Sequence, residues 1–275
     1  MNSNLNEVLH DRLWAGLIFL YGVDAVLAFR AFCTRSNLNL IRLLIGLTFA
    51  LHTVTLVFHY WSTGQAPLFR LSDSLLTLAW VLMLNFIIAD YYLEIRTYAA
   101  FLLPVVFAFL LYAVSLPEFS VAGHGLFASY ELAIHITFAL MGNSAFALAS
   151  IASIMYLIQE KQLRNKVFSM LYRRLPSLEE LDRISHRLVI VGFPLFSLAI
   201  LIGLARARAL WLDPTLDGKV VWTILTWAVY AAYLISRSWP GWRGRKSAWT
   251  ALAGFMTVLW NMFIVNILLT RNHLF

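Results

Sequence analysis

SLLTLAWVLMLNFIIADYYLE, residues 74–94, carries no lysine or arginine, and its only acidic residues are Asp90 and Glu94 near its end. A helix crossing the roughly 30 Å hydrocarbon core of a bilayer needs about 20 mostly apolar residues, and this stretch meets that requirement. Working outward from it, seven more stretches read the same way, near 13–32, 40–60, 98–115, 128–158, 187–206, 220–236 and 248–270. Those at 98–115 and 220–236 are shorter than the others, and 128–158 is long enough to project past the bilayer. No soluble domain fits between them. The expected fold is an all-α polytopic membrane protein of about eight transmembrane helices, forming one domain over residues 1–275.

Composition agrees. The chain is 61% hydrophobic and 13% charged, with a mean hydropathy of +0.74. Soluble domains run at about 45–50% apolar and about 25% charged. Twenty Phe, 11 Tyr and 10 Trp suit the interfacial belts where aromatic rings anchor a span. The lone cysteine, Cys33, excludes an intrachain disulfide and any CxxC redox or metal motif. The net charge of +7 falls within candidate loops, so it reads as cytoplasmic loop charge and not as a nucleic-acid surface. The polar stretch Met1–Arg12 lacks a cleavage-site pattern, and no removable signal peptide is expected.

Loop charge also sets an orientation. Fifteen of the 21 basic residues lie in or beside the loops after spans one, three, five and seven, and six lie on the opposite side: Arg12, Arg70, Arg206, Arg208, Lys219 and Arg271. The positive-inside rule then places both termini outside, and residues 160–186 and 237–247 in the cytoplasm. Within 160–186, Pro176 breaks the chain, and Ser177 precedes Glu180 by three residues. That is a capping-box pattern, expected to start a short interfacial helix leading into span six.

Of the seven histidines, this topology sets His59, His124, His135 and His273 at or near the outer face. His52 lies two turns deeper than His59. His186 and His10 read as interfacial, and His124, between Gly123 and Gly125, as a solvated loop residue. His52 admits two readings, an interhelical hydrogen bond or a functional group. Asp24, inside span one, is open to pairing with a histidine or arginine, or to lining a cavity.

Residues 205–227, ARARALWLDPTLDGKVVWTILTW, flank a polar turn, Asp213-Pro214 to Asp217-Gly218-Lys219, with Trp211, Trp222 and Trp227. One reading is a belt of interface tryptophans around a tight external loop. The other is a binding shelf for a flat apolar ring system. Aromatic rings would take its face, Arg206, Arg208 and Lys219 would meet its carboxylates, and His135 and His273, on the same side, would supply axial nitrogens to an iron.

Four stretches resemble the CcsA/ResC/CcmC-type cytochrome c assembly family, which handles heme at the outer face of the membrane. The likeness is greatest to its shorter, HemX-like eight-helix members. GQAPLFRLSDSL, residues 64–75, is similar to the family's Gly-x-x-Pro-Leu-Ser-Asn-x-x-Glu-Ser-Leu segment, with Asp73 at the glutamate position. His135 and its helix, ending MYLIQEKQLRNK, resemble the helix carrying the first external heme-ligand histidine. LPSLEELDRISHRLVIVGFPLFSLAILIGLARARALW leads into the tryptophan-rich loop. The C-terminal portion, from VWTILTWAVYAAYLISRSW to VNILLTRNHLF, places His273 at the second external histidine. The chain departs from the family in its loop, which keeps Trp211, Asp217, Lys219 and Trp222 without the inner tryptophans, and at Ile235, where synthase members carry a histidine.

The resemblance implies a heme-binding, heme-handling membrane component of c-type cytochrome biogenesis, in the plasma (inner) membrane and not an enzyme by itself. Heme would be the cofactor, with His135 and His273 as axial ligands. Trp211 and Trp222 would form the shelf, Asp217 would belong to the loop motif, and Arg206, Arg208 and Lys219 would meet propionates. His52, His59 and Asp73 are further candidates. The implied partners are heme, a ResB/CcsB-like assembly protein, apocytochrome c and membrane lipid. The HemX-like likeness implies an alternative, a membrane regulator or scaffold for tetrapyrrole synthesis acting through the basic loop 160–186. A transporter ranks below both, because no paired broken helices occur in two matching halves.

Overall fold

The computed structural model describes residues 2–34, 38–63, 71–93, 95–116, 130–166, 169–170, 172–209 and 218–265. Eight α-helices occur among the described residues: α1 (Asn2–Thr34), α2 (Leu38–Thr63), α3 (Leu71–Leu93), α4 (Ala99–Ser115), α5 (Tyr130–Arg164), α6 (Leu178–Ala209), α7 (Gly218–Ser236) and α8 (Arg245–Leu259). Each overlaps one apolar stretch of the sequence. Five are long and apolar enough to span a bilayer, and α4 and the Val220–Ser236 part of α7 are shorter apolar helices. At 35 residues, α5 is about 52 Å long, longer than a hydrocarbon core is thick. The chain is an all-α, multi-pass membrane protein.

The helices form two compact units, Met1–His124 and Gly125–Phe275. In the first, α1 packs on α2 and α4, and α3 packs on α4 and α2. The face pattern of α2 shows which solvent surrounds it. Thr48, His52, Thr55 and His59 recur at helical spacing and are buried, while Leu43, Leu47, Val54 and Val57 on the other faces are each more than half exposed. A helix in water turns its apolar side inward; α2 turns its polar side inward, as a lipid surround demands. Side-chain bonds tie it to α3. The Trp80 indole N–H donates to Thr53 Oγ1 at 2.9 Å, Phe49 stacks on Trp80 with centroids 5.5 Å apart, and Arg42 meets Asp90 at 2.7 Å.

In the second unit, α5 is the central helix, packed against α6 and α8. Its middle, Ser144 to Ser153, is buried throughout, and the four Ala and three Ser residues there let neighbouring backbones come close. One close approach is at Gly142 and Gly192. A Cβ at Gly142 would sit 3.1 Å from the Gly192 carbonyl, and one at Gly192 would sit 3.2 Å from the Gly142 carbonyl. Phe146 stacks on Tyr230 of α7 at 3.6 Å, and the Tyr230 hydroxyl donates to the Ala251 carbonyl of α8 at 3.2 Å. These contacts matter because lipid tails are as apolar as leucine, so packing and hydrogen bonds, not hydrophobic exclusion, hold the helices together.

The Ser177 cap forms as its spacing predicts. Its Oγ accepts the Glu180 N–H at 3.2 Å, and its carbonyl accepts the Leu181 N–H at 2.9 Å. The helix it starts is not a separate interfacial element, however. It runs without interruption into span six as the 32-residue α6, because no glycine or proline follows the cap until the membrane-embedded Gly192 and Pro194.

Candidate functional site

The strongest constellation lies where the start of α5 meets the end of α6. His135 sits on the second turn of α5 and is half-buried. Its Nδ1 lies 2.6 Å from the backbone carbonyl of Ala199 on α6. A carbonyl only accepts, so Nδ1 carries the proton and donates it. In the neutral ring this leaves Nε2 as a bare lone pair, without a hydrogen-bond partner among the described residues. One turn nearer the helix ends, Arg206 Nη1 lies 3.3 Å from Glu131 Oε2, with the guanidinium largely buried and the carboxylate half exposed. The arginine thus pairs with an exposed carboxylate one helical turn along α5 from His135.

α7 brings aromatic rings to the same end of this unit. The Trp227 indole donates to Ser197 Oγ at 2.9 Å, which sets the register of α7 against antiparallel α6. Trp222, five residues earlier, then falls at the level of residues 201–203. Trp222 leans on Trp260 with centroids 5.6 Å apart, and the Asn261 amide donates to Thr223 Oγ1 at 3.0 Å. Trp260 and Asn261 begin a π-helical turn, Trp260–Val265, that continues α8. Such turns are uncommon and recur at functional sites. His135, Arg206, Trp222 and Trp260 therefore share one end of the second unit.

Of the other candidates, some lie outside the described residues and some in the first unit. Trp211, Asp217 and His273 fall outside the described residues; Arg208 and Lys219 lie on α6 and α7 with side chains outside them, as does the His10 side chain on α1; His124 is also outside. His52, His59 and Asp73 belong to the first unit, with all three buried. The Tyr21 hydroxyl is 3.1 Å from His52 Nδ1, and the rings of Trp14 and Tyr21 stand edge-on to the imidazole. His59 Nε2 is 3.6 Å from Asp73 Oδ1. Asp24 hydrogen-bonds Thr48 on α2, and no histidine or arginine among the described residues. These are interhelical bonds within a packed interior. Ile235, where the family's synthase members carry a histidine, is exposed.

Sequence reading missed Ala199, Gly203, Glu131, Trp260 and Asn261. Only the π turn's Trp-Asn pair, beside the aromatic stretch of α7, gave any local signal. The others act through helix register. Among the described residues no group of three or more His, Cys, Asp or Glu side chains converges as a metal site. A porphyrin brings four nitrogens of its own and asks one or two axial ligands of the protein. An imidazole with Nδ1 bonded to a carbonyl and Nε2 bare fits that demand, and Arg206, at the same end of the unit, fits a propionate.

The sequence comparisons agree in where they fall. The family profile described as Cytochrome C assembly protein matches residues 68–273. Protein HemX of Brevibacillus brevis is 32% identical over 89% of this chain and 91% of its own length. Cytochrome c biogenesis protein CcsA of Synechococcus sp. (strain CC9605) is 27% identical over 95% of this chain and 94% of its own. Protein HemX of Bacillus subtilis (strain 168) is 26% identical over 92% and 94%. With a profile match running from span three through the end of the described helices, and likenesses spanning nearly the whole of both chains, this protein belongs to the cytochrome c assembly protein family.

Proposed function

We propose that the chain holds heme at the outer leaflet of the plasma (inner) membrane as a non-catalytic component of c-type cytochrome biogenesis. The observation that carries this reading is the His135 imidazole, its Nδ1 proton committed to Ala199 at 2.6 Å and its Nε2 available as an iron ligand. His273 would be the second histidine to hold the iron. Trp211 and Trp222 would take the porphyrin face, Asp217 belongs to the same loop motif, and Arg206, Arg208 and Lys219 would meet the propionates. Heme brings the iron and the vinyl groups that become thioether-linked to apocytochrome thiols. That step belongs to a complex with a ResB/CcsB-like protein and apocytochrome c. The excess of loop Lys and Arg on one side supports the outer placement of this end. The family match, running through the boundary between the two units, supports a single functional domain.

The experiment is an absorption spectrum of detergent-purified protein, oxidised then reduced, with and without added hemin. A Soret band with sharp reduced bands is expected, lost in His135→Ala and in His273→Ala. An unchanged band in both variants overturns the ligand assignment.

The likeness to Protein HemX of Brevibacillus brevis favours a second reading, a membrane scaffold or regulator of tetrapyrrole synthesis whose basic segment 160–186 docks a soluble enzyme. That reading expects Arg173→Gln with Arg174→Gln to disturb function in cells and His273→Ala to leave it intact. The heme-handling reading expects the reverse.

A further inference from the structure

Gly203 lies on α6 one helical turn beyond Ala199. A Cβ built there would meet the His135 ring, at 2.7 Å from Cε1 and 2.9 Å from Nδ1, closer than real Cβ atoms come. In an α-helix the Ala199 carbonyl already accepts the Gly203 N–H. A second donor reaches that oxygen from the side only if the residue four positions on leaves room for it. Every residue type except glycine would fill that room. The glycine is not there for its backbone, since its φ is an ordinary helical one, outside the positive range. In a helix interior it costs roughly 0.5–1 kcal/mol relative to alanine. Space for the imidazole is the property it supplies.

We propose that Gly203 is a positioning residue for His135. By opening the Ala199 carbonyl to a side-on hydrogen bond, it fixes the imidazole with its proton on Nδ1 and presents a bare Nε2 to a ligand metal. That the metal is heme iron rests on the function proposed above; the tautomer and its dependence on Gly203 do not. A ring free to rotate would divide between two tautomers and many orientations. A ring held at both its plane and its proton is ready to ligate without reordering.

The test uses the full chain in detergent, labelled with 15N-histidine. With the ring in its neutral form, the His135 resonances, assigned by their loss in His135→Ala, should show a proton on Nδ1 and none on Nε2. Gly203→Ala should give a mixture of tautomers, and hemin binding weakened about 10–100-fold, the usual cost of losing an outer-shell partner. Folding is controlled by a double-mutant cycle. Gly203→Ala alone should lower the melting temperature, and Gly203→Ala with His135→Ala should melt at or slightly above His135→Ala, because the clash goes with the ring and alanine suits a helix interior better than glycine. An Nε2–H tautomer in the unsubstituted protein, or an unchanged tautomer and hemin affinity in Gly203→Ala, overturns the proposal. So does a double variant that melts well below His135→Ala. Absence of hemin binding by the unsubstituted protein, with the tautomer and the cycle as expected, sinks the heme assignment and leaves the positioning role standing.

Discussion

Arg237 grips both carboxylate oxygens of Asp182, donating to Oδ1 at 2.7 Å and to Oδ2 at 2.9 Å. The Gly244 N–H adds a third bond to Asp182 Oδ1 at 3.1 Å, and Arg237 also reaches Ser247 Oγ at 3.1 Å. One carboxylate on the second turn of α6 thereby fastens the end of α7 and the turn into α8. Burial works against the charge of Arg237, but the hydrogen bonds to Asp182, the nearby Tyr233 hydroxyl and the Asp182 charge together more than offset it, leaving the guanidinium's pKa above its ordinary value.

Asp182→Ala should therefore be among the more damaging single changes in the second unit. It strands a guanidinium whose side chain is only 11% exposed, and breaking such a pair from one side costs about 3 kcal/mol or more. Thermal unfolding in detergent should show a clear drop. Asp182→Leu with Arg237→Met should recover much of it, since neither partner is then left charged. A single variant as stable as the parent would mean that water, not Asp182, satisfies Arg237.

The first unit gives a prediction about His52. It is fully buried against Trp14 and Tyr21, so His52→Ala leaves a void and an unpaired Tyr21 hydroxyl. Core truncations of this kind cost about 2–5 kcal/mol. The melting temperature should fall while the spectrum of bound hemin keeps its band positions. Loss or a shift of the axial-ligand bands in His52→Ala would instead put a heme ligand in the first unit.

These two cases mark what the sequence discloses. The eight apolar stretches were legible because a bilayer imposes length and composition on each span separately. The Ser177 cap was legible because capping is local. His135 was legible as a candidate through its family resemblance. Its contacts were not, since Ala199, Gly203 and Glu131 meet it or its neighbours only through the register of α5 against α6. A lone glycine in an apolar run looks like any small residue that eases helix packing. In the same way, nothing near Asp24 announced Thr48, and nothing near His59 announced that Asp73 would lie 3.6 Å away. Polar residues inside a membrane advertise that they have partners, not which.

Orientation can be tested directly because Cys33 is the chain's single cysteine. In a Cys33→Ala background, His124→Cys and Asn272→Cys should react with an impermeant maleimide from outside, and Asn165→Cys and Arg243→Cys only after the membrane is opened. Arg243 is a better reporter than its neighbour Gly244, where a Cβ would lie 2.5 Å from the Tyr156 hydroxyl. The reverse labelling pattern would invert the topology and move the His135 end to the cytoplasm.

The Glu131–Arg206 pair offers a test that separates stability from binding. Glu131 is 53% exposed, and ion pairs with an exposed partner contribute only about 0.2–1 kcal/mol, so Glu131→Gln should barely change the melting temperature. Its effect on hemin should be larger and opposite in sign to that of Arg206→Gln. In the resting protein Glu131 occupies the guanidinium that a propionate would use, and removing its charge removes a competitor and a nearby negative field. Hemin titrations followed by absorption should show tighter binding for Glu131→Gln and weaker binding for Arg206→Gln, with both differences shrinking as salt is raised. If both variants bind hemin like the parent, Arg206 is a helix-pairing residue only, and the propionates must find their cations elsewhere.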